Sequence, residues 1–86
     1  MIIAWDSEAW ADYLYWQSQD KKTLKRINEI IKDIQRNGSQ GIGKAEKLKY
    51  IDGNWYSRRI DKTNRLVYKL DNNILKIIQC KGHYDD

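Results

Sequence analysis

Residues 54–80 read NWYSRRIDKTNRLVYKLDNNILKIIQC. Over 54–60 the residues alternate, with Trp55, Ser57 and Arg59 on one face and Tyr56, Arg58 and Ile60 on the other. Over 65–70 the alternation returns, with Leu66, Tyr68 and Leu70 on the apolar side. A period of two is the period of a β-strand. DKTN at 61–64 is a tight turn, DNN at 71–73 a second hairpin turn, and ILKIIQC at 74–80 a last strand. The stretch therefore predicts a three-stranded antiparallel meander.

Upstream the period changes. Residues 37–45, NGSQGIGKA, carry three glycines and no periodicity, and read as a flexible loop. Before it, Leu24, Ile27, Ile30, Ile31 and Ile34 recur at three and four residues. That spacing predicts a helix from about 21 to 36, capped by Asp20 and stopped at Asn37-Gly38. Ala9, Trp10, Tyr13, Leu14 and Trp16 predict a shorter helix over 7–17, with Asp6 or Ser7 as its cap and Glu8 in its first turn. IIAW at 2–5 is short, apolar and β-branched, and reads as a strand. The order of strand, two helices and meander is α+β, with both helices on one face of an antiparallel sheet. No repeat, low-complexity tract or linker interrupts it.

Eighty-six residues make one small domain. Only 41% are hydrophobic, so the core must use large side chains, and four Trp and six Tyr supply them in the absence of Phe. So small a core leaves stability marginal, and a partner protein or a dimer is expected to matter. One cysteine forms no internal disulfide, which suits a reduced, cytoplasmic protein. MIIAWDSEAW is too short an apolar run for a signal peptide, and no stretch approaches the ~20 apolar residues of a membrane helix.

The net charge of +4 is concentrated. Six basic residues balance six acids over 1–43, whereas 44–69 holds eight basic residues against three acids. A local surplus of this kind fits a polyanion surface. Arg59 and Arg65 flank the 61–64 turn and so belong close together on neighbouring strands. They suit either a phosphate clamp or a basic edge that resists aggregation. Glu46 stands among Lys44, Lys47 and Lys49, where it either balances charge or, beside phosphate-binding cations, acts as a base. His83 is the only imidazole and follows the last strand, next to Tyr84. Glu, two Arg and His are a sufficient set for cleaving RNA without a metal: a base for the 2′-OH, cations for the phosphate, and an acid for the departing 5′ oxygen. Lys21, Lys22, Lys25 and Arg26 form a basic stripe on the second helix, either a solvated face or a strip that lies along ribosomal RNA. One Cys and one His do not make a usual zinc site, and GIGKA at 41–45 lacks P-loop spacing.

AWDSEAWADYLYWQSQDKKTLKRINEIIKDIQR at 4–36, GIGKAEKLK at 41–49, WYSRRIDKTNRLVYKL at 55–70 and the terminal HY at 83–84 resemble the YoeB (Txe/YoeB) toxins of the RelE/ParE superfamily. The resemblance implies a RelE-like microbial-RNase fold, with two N-terminal helices packed on a twisted, mainly antiparallel sheet of four to five strands. It implies a type II toxin that cuts translated mRNA in the A site of the 70S ribosome, with no metal and no cofactor. It further implies a homodimer and a YefM-like antitoxin whose C-terminal segment folds over the toxin. The complex of the two represses its own operon, so operator DNA is met only through the antitoxin. By position, Glu46 matches the general base, Arg65 the residue that stabilises the scissile phosphate, His83 the general acid and Tyr84 the aromatic that positions RNA. Lys49 and Arg59 match further basic residues around the phosphate, and Lys44 joins them on the RNA-binding side.

The chain departs from the family in two places. Ala45 and Lys47 stand where prolines often flank the glutamate, which predicts a looser loop. Asp85 and Asp86 follow the His-Tyr pair, and their charge is expected to raise the His83 pKa or weaken phosphate approach. Two rival readings keep the fold and drop the chemistry: a ParE-like gyrase inhibitor, and a non-catalytic RNA-binding module that blocks translation.

Overall fold

The computed structural model describes residues 1–83, and Tyr84, Asp85 and Asp86 lie outside the described residues. The chain runs β1 (Ile2–Trp5), α1 (Ser7–Gln19), α2 (Lys21–Asn37), β2 (Glu46–Lys47), β3 (Trp55–Arg59), β4 (Arg65–Asp71) and β5 (Ile74–Gln79). The strands form one sheet in the order β1-β5-β4-β3-β2. The meander is antiparallel as expected, but β1 pairs parallel with β5, Ile2 opposite Ile74 and Trp5 opposite Ile77. The sheet is thus mixed and five-stranded. Its fifth strand, β2, follows directly on the 37–45 stretch that reads as loop, and two residues are too few for alternation to show.

Local chemistry sets the helix ends. The Asp6 carboxylate accepts from Glu8 N at 3.3 Å and caps α1. Asp20 ends α1 and starts α2, accepting from Lys22 N at 3.1 Å and Thr23 N at 3.2 Å. Gly38, with φ 67°, donates its N–H to Ile34 O at 2.8 Å and closes α2. Asn72 and Asn73 both take positive φ, the pair that a type I′ hairpin turn between β4 and β5 requires.

Ile27, Ile30, Ile31 and Ile34 of α2 are buried against Leu66 and Tyr68 of β4 and Leu75 and Ile77 of β5. Each such side chain stabilises the fold by about 1.5–3 kcal/mol through lost contact with water. The helix α1 buries less. Ala9 and Trp16 are enclosed, while Trp10, Leu14 and Tyr15 stay exposed, so its apolar spacing does not mark one inward face. Trp16 Nε1 donates to Cys80 O at 2.9 Å, and Tyr13 OH to Asn28 Oδ1 at 2.7 Å, tying α1 to the end of β5 and to α2. Among the described residues no helix is long and apolar enough to cross a membrane.

A bulge in β5 decides where the C-terminal residues go. Tyr68 pairs with Ile77 and Val67 with Gln79, so Ile78 is an extra residue. The extra residue shifts the phase of the strand. Cys80 then falls on the core side, buried against α1, with its Sγ 3.6 Å from Ala9 O.

Candidate active site

Strand register carries four polar side chains to one face. Glu46 pairs with Ser57, Ser57 with Val67, and Arg59 with Arg65. Residues directly opposite in a sheet share a face. Leu66 and Tyr68 alternate with these residues and belong to the helix-side core. Glu46, Ser57, Arg59 and Arg65 therefore lie on the face away from the helices. The juxtaposition of Arg59 and Arg65 expected from the turn is present.

Arg65 is the centre of the group. Its Nε donates to Ser57 Oγ at 3.1 Å, and both side chains are buried. Its Nη2 lies 3.7 Å from Glu46 Oε2, and among the described residues that buried nitrogen makes no hydrogen bond. The Arg65 side chain is 11% exposed and that of Glu46 is 50% exposed, so the carboxylate is reachable where the guanidinium is shielded. Arg59 is exposed. Two guanidinium-bearing residues directly opposite repel each other, a cost that an anion seated between them would offset. Ser57 is a member of the site that sequence reasoning missed. Its signal was present, since alternation set it on the face of Arg59.

The loop before β2 is hydrogen-bonded to β3. Buried Arg58 points to the helix side and makes five hydrogen bonds. Nη1 donates to Asp33 Oδ2 at 2.6 Å and Ile42 O at 2.7 Å, Nη2 to Gly38 O at 2.7 Å and Gln40 O at 2.9 Å, and Nε to Tyr68 OH at 3.1 Å. The hydrogen bond from Arg58 holds the Asp33 carboxyl below its ordinary value, with Asn37 and Ile42 N adding to the effect. Arg59 N donates to Gly43 O at 2.5 Å, and a Cβ on Gly43, whose φ is 80°, would lie 3.0 Å from Arg59 O. These contacts tie Gly38, Gln40, Ile42 and Gly43, within the 37–45 loop, to β3. They also remove Arg58 from the basic surplus of 44–69, because its charge is spent inside the fold.

The C-terminal residues return to the same end of the sheet. Arg65 N donates to Gly82 O at 2.9 Å, and Gly82 N to Asn64 Oδ1 at 2.8 Å. Exposed His83 therefore follows a residue bonded to the backbone of Arg65. Tyr84 and the Asp85-Asp86 pair lie outside the described residues. Lys44 and Lys49 are exposed on either side of β2. Lys21, Lys22 and Lys25 are exposed on α2, in the helical layer and not on the Arg65 face. Lys22 and Arg26 do line a groove with Thr23, Ile60 and Asp61, at the hairpin end next to Arg59. Among the described residues no three His, Cys, Asp or Glu come together as metal ligands.

Known proteins share this sequence and fold. A family model described as a YoeB-like toxin of bacterial type II toxin-antitoxin systems matches residues 5–84. Toxin YoeB of Escherichia coli O6:H1 (strain CFT073) is 48% identical over 84 residues, covering 98% of this chain and 100% of that protein. The YoeB dimer from Staphylococcus aureus superposes with a TM-score of 0.90 at 50% identity, covering 98% of each chain. A heterotetrameric YoeB-YefM toxin-antitoxin complex from the same organism gives the same values.

Proposed function

Since the chain belongs to the YoeB-like toxins of bacterial type II toxin–antitoxin systems, we propose that it is an endoribonuclease that cleaves mRNA in the ribosomal A site and so stops translation. The observation that carries the reading is Arg65, a buried guanidinium fixed by Ser57 with Nη2 unsatisfied beside the Glu46 carboxylate. A fixed donor with no hydrogen-bond partner suits a phosphate oxygen on which charge builds in the transition state.

In the proposed reaction Glu46 takes the proton of a ribose 2′-OH. The 2′ oxygen attacks the adjacent phosphorus, the bond from phosphorus to the 5′ oxygen breaks, and His83 gives that oxygen a proton. The products are a 2′,3′-cyclic phosphate and a free 5′-OH. Arg65 and Arg59 hold the phosphate through the transition state. Lys44 and Lys49 extend the RNA surface, and Tyr84 packs on the RNA by analogy with the family. Lys21, Lys22, Lys25 and Arg26 face ribosomal RNA. The sequence of steps uses acid–base groups of the chain alone and asks for no cofactor. A YefM-like antitoxin neutralises the toxin in the cytoplasm, the toxin pairs as a homodimer, and operator DNA is met through the complex.

Primer extension on programmed 70S ribosomes with an empty A site tests the reading. Wild type should cut within the A-site codon, and Glu46→Ala, Arg65→Ala and His83→Ala should each cut about 10²–10⁴-fold more slowly. Translation blocked equally by all four proteins without a cut would mean a binding inhibitor. Loss of gyrase supercoiling on adding the protein would mean a gyrase inhibitor.

A further inference from the structure

The residues just ahead of His83 are held by the 61–64 turn, and one side chain of that turn has no function in the scheme above. The Asp61 carboxylate accepts from Thr63 N and Asn64 N, both at 2.8 Å, which forms the turn. It also accepts from Asn64 Nδ2, at 3.1 Å to Oδ1 and 3.0 Å to Oδ2. Both donors of the Asn64 amide serve this side of the turn, so the amide has one orientation. Its oxygen then points the other way, and accepts from Gly82 N at 2.8 Å. One residue further on, Arg65 N donates to Gly82 O at 2.9 Å. Gly82 is thus bonded through its N–H to Asn64 and through its carbonyl to Arg65. Its φ of 89° is a conformation that L side chains rarely adopt, so the bend depends on glycine here.

We propose that Asn64 is a positioning residue for the proposed general acid: its side chain, oriented by Asp61, holds Gly82 and thereby sets His83 beside the strand that carries Arg65. The proposal rests on the ribonuclease reading and on His83 as its acid. Without the Asn64 oxygen, Gly82 loses one of the two hydrogen bonds that set its place, and His83 after it shifts. A general acid acts only when it is within hydrogen-bond reach of the leaving oxygen. A displacement of about 1 Å is enough to slow such a step by ~10²-fold. RNA binding, in contrast, is carried chiefly by lysines and arginines on other elements, and the shift reaches it only through Tyr84, so it changes little.

The test is a double-mutant cycle on the full chain, using single-turnover cleavage on programmed 70S ribosomes. Asn64→Ala should lower the maximal rate about 10–100-fold and leave the half-saturating toxin concentration unchanged. In a His83→Ala background the same substitution should change the rate less than about twofold, since effects through one group do not add. An equal slowing in both backgrounds would show that Asn64 acts elsewhere, and no slowing in the wild-type background would show that the hold is unnecessary. Either result overturns the proposal while leaving the ribonuclease reading standing. His83→Ala cutting at the wild-type rate would instead remove the acid assignment itself, and the proposal with it. Amide exchange on the unmutated chain gives a check that does not depend on the variant folding. Gly82 N–H should exchange at least about tenfold more slowly than an unprotected amide. Exchange at the unprotected rate would mean that Asn64 does not hold it.

Discussion

Arg65 donates from Nε to Ser57 Oγ at 3.1 Å, and that one bond fixes the plane in which the rest of the guanidinium lies. A lysine at 65 would keep the charge and lose both the fork and its anchor. Arg65→Lys is therefore expected to cut A-site mRNA about 10²–10³-fold more slowly. Ser57→Ala keeps the guanidinium but frees it to turn, and should slow cleavage by about tenfold. Single-turnover rates on the ribosome measure both. A lysine variant of wild-type rate would mean that charge alone suffices.

The Arg58–Asp33 pair holds the loop before β2 to the helical layer, and it should be costly to break from one side. Arg58→Ala takes a donor from Asp33 and from three loop carbonyls, and leaves Ile42 O and Gln40 O without the guanidinium. It is expected to lower the unfolding free energy by about 3–5 kcal/mol, read from urea midpoints. The pH dependence has a definite sign. The folded-state pKa of Asp33 is lowered from its ordinary 3.8. Its stabilisation is therefore present above that value and is lost as pH falls through the folded pKa. Asp33→Asn should lower stability at neutral pH and flatten the acid limb of the stability profile.

Asp12 has the opposite sign. Burial raises its carboxyl pKa, against the lowering effects of the Cys80 N–H and the Lys81 charge. The ionised form is thus disfavoured in the fold, and the associated stability is lost as pH rises through the folded pKa. Asp12→Asn retains an acceptor for Cys80 N, now 3.2 Å from Asp12 Oδ2. The substitution should raise the melting temperature at pH 7 more than at pH 4. A larger rise at pH 4 would contradict the burial argument.

Cys80 is fully buried, and burial pushes its thiol pKa up to about 12. A thiol that is neither ionised nor reachable does not react. Labelling by an aromatic disulfide reagent at pH 8 should be negligible in the native protein and should follow urea unfolding with the same midpoint. Rapid labelling without denaturant would mean that the 80–82 segment opens readily.

Periodicity was enough to read the meander and α2, because Leu66, Tyr68, Ile27 and Ile34 answer to a single core. It failed where pairing is non-local. Nothing within IIAW states that its partner is β5, or that the pairing is parallel, since that depends on a crossover through both helices. The two-residue β2 was hidden for the same reason: Gly43, Arg59 and Arg58 position it from elsewhere. Arg58 itself was legible in outline, as an arginine on the apolar side of an alternating strand. Its partners were not, because they come from a helix and a loop far away in the chain. Of the residues gathered on the Arg65 face, the sequence singled out Glu46, Arg59 and Arg65 and passed over Ser57. A buried serine has no compositional mark, and only the register turns it into an anchor.

The parallel pairing of Ile2 with Ile74 also bears on how the molecule is made. The first strand to leave the ribosome waits for the last one, so during synthesis β1 has no neighbour and Arg65 N has no Gly82 O to bond. A chain that stops before β5 lacks the strand that joins β1 to β4, so the sheet closes only after synthesis has ended and a premature stop yields an unstable product.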